Sequence, residues 1–113
     1  MKVDIKLRVL NRDGEAFLGP GPVALLEAVG RLGSIQRAAK EMDMSYAKAL
    51  RLVKTLEANT GHPLVLRSTG GPDGGGSELT DEARSLIGAF RRFQEKVLTC
   101  AEREFERSLK ESL

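Results

Sequence analysis

Residues 33–46 read Gly33-Ser34-Ile35-Gln36-Arg37-Ala38-Ala39-Lys40-Glu41-Met42-Asp43-Met44-Ser45-Tyr46. Two serines stand at positions where a side-chain oxygen can cap a helix start. Between them, Ile35, Ala38, Ala39 and Met42 recur at helical spacing, which predicts a short helix with one apolar stripe. Gly33 closes the helix before it. Asp43-Met44 makes a brief connection to the helix after it. The adjacent small residues Ala38-Ala39 let that next helix cross closely. Helix, tight connection, helix is the arrangement of a helix-turn-helix.

Working upstream, Gly19-Pro20-Gly21-Pro22 is punctuation, and Pro22 suits a helix start. Leu25, Leu26, Val29 and Leu32 then give the stripe of a first helix that ends at Gly33. Further upstream, residues 3–10 alternate. Val3, Ile5, Leu7 and Val9 point one way; Asp4, Lys6 and Arg8 point the other. Asp13-Gly14 is a tight-turn signal, and residues 15–18 return, so the chain opens with a β-hairpin.

Working downstream, a third helix runs from the Ser45 cap to about Asn59, burying Ala49, Leu52, Val53 and Leu56. Its opposite arc presents Ala47, Leu50, Arg51 and Lys54, with Tyr46 at the edge. Gly61 ends it and Pro63 follows. Leu64-Val65-Leu66 reads as a strand, Glu78-Leu79 as its partner, and five glycines fall between residues 68 and 77. Strand, glycine-rich loop and strand make a wing. Thr80 is an N-cap before Asp81-Glu82. From there to residue 110, Ala83, Leu86, Phe90, Phe93, Val97, Ala101, Phe105 and Leu109 step by three or four. The spacing predicts one long amphipathic helix of about 45 Å. Its stripe needs a partner, and a second copy of the chain is the simplest supply. Leu86, Phe90, Phe93, Val97 and Phe105 are therefore expected at a homodimer interface. The fold class is α+β: a winged helix-turn-helix domain over residues 1–80 and a dimerisation helix over residues 81–113.

The 113 residues carry a net charge of only +2, but the charge is uneven. Residues 31–69 are net +4, the first 30 are neutral, and residues 70–113 are net −2. An α-helix presenting Arg51 and Lys54 fits the major groove of double-stranded DNA, where such side chains reach guanine edges or phosphates. Lys48, Arg37, Arg67 and the helix starts at Ser34 and Ser45 are suited to phosphates. Specificity falls to Ser45, Tyr46, Arg51 and Lys54. Arg67, at the end of the wing's first strand, can drop toward the backbone or the minor groove.

Other chemistries find little support. One cysteine, Cys100, forms no intrachain disulfide, which suits a reducing cytoplasm. No apolar run approaches the ~20 residues of a membrane span, and no signal-peptide core follows Met1. The one histidine, His62, sits in a turn, and no Cys/His set has zinc-ligand spacing. No catalytic residue, metal or cofactor is expected.

Gly33-Ser34-Ile35 with Ala38-Ala39-Lys40, then Met44-Ser45-Tyr46, and Thr69-Gly70-Gly71 leading through Gly74-Gly75-Gly76 to Leu79-Thr80 resemble LysR-type regulators. They resemble still more the N-terminal DNA-binding domain of the molybdate-responsive ModE family. The opening hairpin and the long last helix match the same domain. The resemblance implies a transcription regulator that binds a near-palindromic operator as a dimer, with the third helix in the major groove and the wing beside it. It maps roles onto Ser45, Tyr46, Arg67, Thr69 and Gly71. The family continues into small β-rich domains that bind molybdate, and no segment of residues 1–113 supplies that oxyanion site. Ala47 and Leu50 stand where larger or polar readers are expected, so no operator sequence carries over. A separately encoded effector-binding protein is a further partner to consider. The alternative function is a protein–protein adaptor module on the same fold.

Overall fold

The computed structural model describes residues 1–68 and 76–113. In chain order the elements are β1 (Val9–Leu10), β2 (Ala16–Leu18), α1 (Pro20–Leu32), α2 (Ile35–Glu41), α3 (Tyr46–Thr60), β3 (Val65–Arg67), β4 (Ser77–Leu79) and α4 (Asp81–Glu104). A π-helical turn (Phe105–Leu109) and a 3-10 turn (Lys110–Ser112) continue α4.

Helix α1 starts two residues before the expected Pro22. Pro20 occupies its first position, where a missing N–H costs nothing, and the extended Gly19 precedes it. Gly33 closes α1 in the left-handed region at φ 70°, its N–H donating to the Val29 carbonyl at 2.8 Å. Ser34 and Ser45 act as the sequence predicts. Ser34 Oγ accepts from the Arg37 N–H and Ser45 Oγ from the Lys48 N–H, each at 3.1 Å. Between α2 and α3, the Met44 N–H donates to the Ala39 carbonyl at 3.0 Å. Asp43 turns the chain there at φ 54°, a conformation that short polar side chains tolerate.

The core lies where α1 meets the helix-turn-helix. Leu25, Leu26, Ala28 and Val29 pack with Ile35, Ala38 and Ala39 of α2, Ala49, Val53 and Leu56 of α3, and Leu64 and Ala83. Each fully buried Leu, Ile or Val contributes about 1.5–3 kcal/mol relative to exposure. In the wing, Val65 pairs with Leu79, Leu66 with Glu78 and Arg67 with Ser77, antiparallel. The loop residues 69–75, with the candidate site residues Thr69 and Gly71, lie outside the described residues. The wing packs on α1 through Leu79. A Cβ on Gly30 would come within 2.7 Å of Leu79 Cδ1, so this glycine makes the close approach possible.

The opening hairpin is shorter than expected. Val9 pairs with Leu18 and Leu10 with Ala16 across a bulge, and residues 3–8 form no ladder. The physical reason is the early start of α1. Gly19-Pro20 turns the return strand into a helix after three residues, so nothing remains to pair with residues 3–8. The alternation survives in part in burial: Val3, Leu7 and Val9 are half-buried and Asp4, Lys6 and Arg8 are exposed, but Ile5 is exposed too. Val3, Asp4, Ile5 and Leu7 line a groove with Arg91, Gln94, Glu95 and Leu98 of α4.

Helix α4 leaves the body of the molecule. Thr80 caps it, accepting from the Ala83 N–H at 3.1 Å. Its first turns pack through Ala83, Leu86, Ile87 and Phe90, and Arg91 places a two-pronged hydrogen bond on Glu27 of α1. The protein measures 62 × 29 × 24 Å as a result. Phe90 is only 2% exposed within one chain. Of the residues expected at a homodimer interface, Phe90 packs within the chain and Leu86 is half-buried against its core. Phe93 and Leu109 are exposed, and Val97, Ala101 and Phe105 are half-buried along the same stripe.

Candidate nucleic-acid interface

Helix α3 has one buried side, Ala49, Val53 and Leu56. The side away from it carries Tyr46, Ala47, Lys48, Arg51 and Lys54, all exposed. Lys48, Arg51 and Lys54 form no ion pair with any carboxylate among the described residues. Leu50 departs from the expectation that it faces solvent. It is half-buried and packs on the core, because it precedes Val53 by three residues and so sits about 60° from it around the helix. Leu52 is half-buried rather than fully buried.

The cap at Ser45 leaves the N–H groups of Tyr46 and Ala47 at an exposed helix start, where the helix dipole favours an anion. Ser34 begins α2 in the same way, with Arg37 exposed one turn on. The wing approaches this end of α3. The Arg67 guanidinium lies over the Tyr46 ring, 6.0 Å from its centroid. Arg67, Tyr46, Ser45 and Lys48 therefore form one cluster, and Arg51 and Lys54 extend it along the helix.

Two polar contacts that the sequence reading missed hold this surface in place. Arg31 at the end of α1 grips Glu41 at the end of α2 with hydrogen bonds of 2.9 and 2.6 Å. That contact holds the Glu41 carboxyl below its ordinary range and raises Arg31 above its own. Glu57, in the last turn of α3, accepts from the Leu64 and Val65 N–H groups at the start of the wing. One signal pointed to Glu57. A carboxylate at a helix C-terminus opposes the dipole, so its presence there calls for a separate partner.

His62 and Cys100 are both exposed and far apart in the chain, and no cluster of three or more His, Cys, Asp or Glu suited to a metal occurs among the described residues. No helix is long and apolar enough to cross a membrane among the described residues.

Residues 22–84 match the family model described as bacterial regulatory helix-turn-helix protein, lysR family. That match spans more than half of the chain and covers α2, α3 and the wing. The chain belongs to the lysR family of bacterial regulatory helix-turn-helix proteins.

Its relatives place this LysR-type domain close to ModE. It is 37% identical over 98 residues to the molybdenum transport protein ModE of Azotobacter vinelandii, covering 87% of this chain and 36% of that protein. It is 40% identical over 101 residues to the molybdenum-pterin-binding protein MopB of Rhodobacter capsulatus, covering 89% of this chain and 37% of that protein. The chain thus spans little over a third of these curated relatives. Among solved structures, that of a CbnR_DBD-DNA complex superposes with a TM-score of 0.58 at 28% identity, covering 82% of this chain and 97% of that one. The LysR-type winged helix is thereby established, as is its likeness to the N-terminal DNA-binding domain of ModE.

Proposed function

We propose that this chain is a sequence-specific, double-stranded-DNA-binding transcription regulator acting as a homodimer in the cytoplasm, without enzymatic activity. The observation that carries this is the state of α3. Its apolar side is buried, and its basic side, with Tyr46 and the wing's Arg67 at one end, is open. Lys48, Arg37 and the starts of α2 and α3 hold phosphates; Ser45, Tyr46, Arg51 and Lys54 face base edges. Ala47 is small enough to let the backbone of α3 approach the groove floor. Neither molybdate nor any other effector is assigned to residues 1–113.

A DNA-shift assay at two salt concentrations tests this. Specific fragments should remain bound at the higher salt, and Lys48→Ala should weaken binding to all sequences while lowering the slope of log affinity against log salt by about one. Binding that vanishes with salt on every fragment would instead favour a protein–protein adaptor.

A further inference from the structure

Glu57 stands in the last turn of α3 with no basic side chain beside it there. The helix dipole disfavours a carboxylate at this end. Its Oε2 accepts from the Leu64 N–H at 2.8 Å and from the Val65 N–H at 3.3 Å. Val65 opens β3, and Leu64 is buried just before it. The carbonyls of this same corner are held from the opposite side. Thr80 Oγ1 donates to the Pro63 carbonyl at 2.8 Å, and the Thr80 N–H donates to the Leu64 carbonyl at 3.0 Å. The corner between α3 and the wing is thus pinned by α3 through Glu57 and by the cap of α4 through Thr80.

From that corner the strand leads to Arg67, whose guanidinium lies over Tyr46 at the other end of α3. Glu57 and Tyr46 are separated by about 16 Å of α-helix. Leu64 to Arg67 spans about 10 Å of strand. The Arg67 side chain covers the remainder, bringing its guanidinium over Tyr46. The wing is anchored at one end of α3 and delivers its arginine to the other.

We propose that Glu57 is a positioning residue for DNA reading. It fixes the angle of the wing to α3 so that Arg67 arrives beside the base-facing end of the helix. Glu57 acts through the backbone of Leu64 and Val65 and not through contact with DNA. Hydrogen bonds to an ionised carboxylate are roughly twice as strong as neutral ones, which suits a hinge carrying a lever. This inference rests on the DNA-binding role proposed above.

The test uses the full chain as wild type, Glu57→Ala, Glu57→Gln, Arg67→Ala and the Glu57→Ala/Arg67→Ala pair. Two quantities are measured: affinity for the DNA fragment that the wild type selects, and amide exchange at Leu64 and Val65. Glu57→Ala should weaken binding about tenfold and speed exchange at both amides. Arg67→Ala alone should cost a similar factor, but less than about twofold when Glu57 is already gone. Glu57→Gln keeps an uncharged acceptor and should lose only about threefold. An undiminished Arg67 effect in the Glu57→Ala chain, or unchanged exchange, overturns the proposal. If Glu57→Ala does not fold, Glu57→Gln decides. A loss of about threefold with faster exchange supports the proposal, and wild-type affinity and exchange overturn it. A wild type that selects no fragment defeats the DNA-binding role instead, and the exchange arm still judges the hold of Glu57 on the wing.

Discussion

At the scale of single residues, Arg51 is the side chain with most to say about sequence. It is exposed on α3, about a turn and a half from the wing-side start of the helix, and no carboxylate among the described residues claims it. If Arg51 meets a guanine edge, Arg51→Ala should cost about 1–3 kcal/mol and relax preference at one base position. Equal loss on all sequences would reassign it to a phosphate. The Arg31–Glu41 pair yields a pH prediction. Its folded state lowers the Glu41 carboxyl, so its stabilisation is present above the ordinary carboxylate range and disappears as pH falls through the lowered value. Glu41→Gln should therefore be less stable than wild type at neutral pH. The gap should close on acidification, as followed by denaturant midpoints. Both side chains are well exposed, so the effect should be small and should shrink with salt.

At the scale of elements, the two serine caps define where the helix-turn-helix begins and turns. Ser45→Ala should cost about 1 kcal/mol of stability by orphaning the Lys48 N–H, and thermal unfolding would register it. The same change should weaken DNA binding, because the fraying turn carries Tyr46 and Lys48. No change in melting temperature would mean that Ser45 does not cap in solution. These elements were legible in the sequence because local chemistry decides them: a hydroxyl before a stripe, a glycine after it. The stripe of α3 was read correctly at Ala49, Val53 and Leu56, and misjudged at Leu50. A residue on the border of an apolar arc is covered or uncovered by its tertiary neighbours, and the period alone cannot say which. The opening strand was overread for a related reason. Alternation over residues 3–9 reports one-sided burial, which an extended segment lying along α4 satisfies without a ladder. Gly30 escaped altogether and Glu57 showed only as a carboxylate opposed to the helix dipole, since the partners that explain them, Leu79 and Leu64, come into contact only when the wing folds back.

At the scale of the whole molecule, the 62 Å length belongs to α4 and its continuation, which extend an apolar stripe beyond the globular body. Phe93 is 45% exposed, sits edge-on to the buried Phe90 at 6.4 Å, and begins the open part of that stripe. A dimer through this stripe would set two α3 helices at a fixed separation, and two weak half-sites would then act as one strong site. Phe93→Glu should give monomers by light scattering and a lower affinity for the paired site, with each chain still folded because Phe93 lies outside the core. A dimer of undiminished stability would move the interface elsewhere, most simply to the N-terminal segment beside α4.

Selecting bound fragments from a random double-stranded pool with the purified wild-type protein decides whether the open face of α3 reads DNA sequence. One motif arranged as two inverted half-sites should be enriched. A pool that stays random after repeated rounds, in which every fragment is released alike as salt is raised, would contradict it.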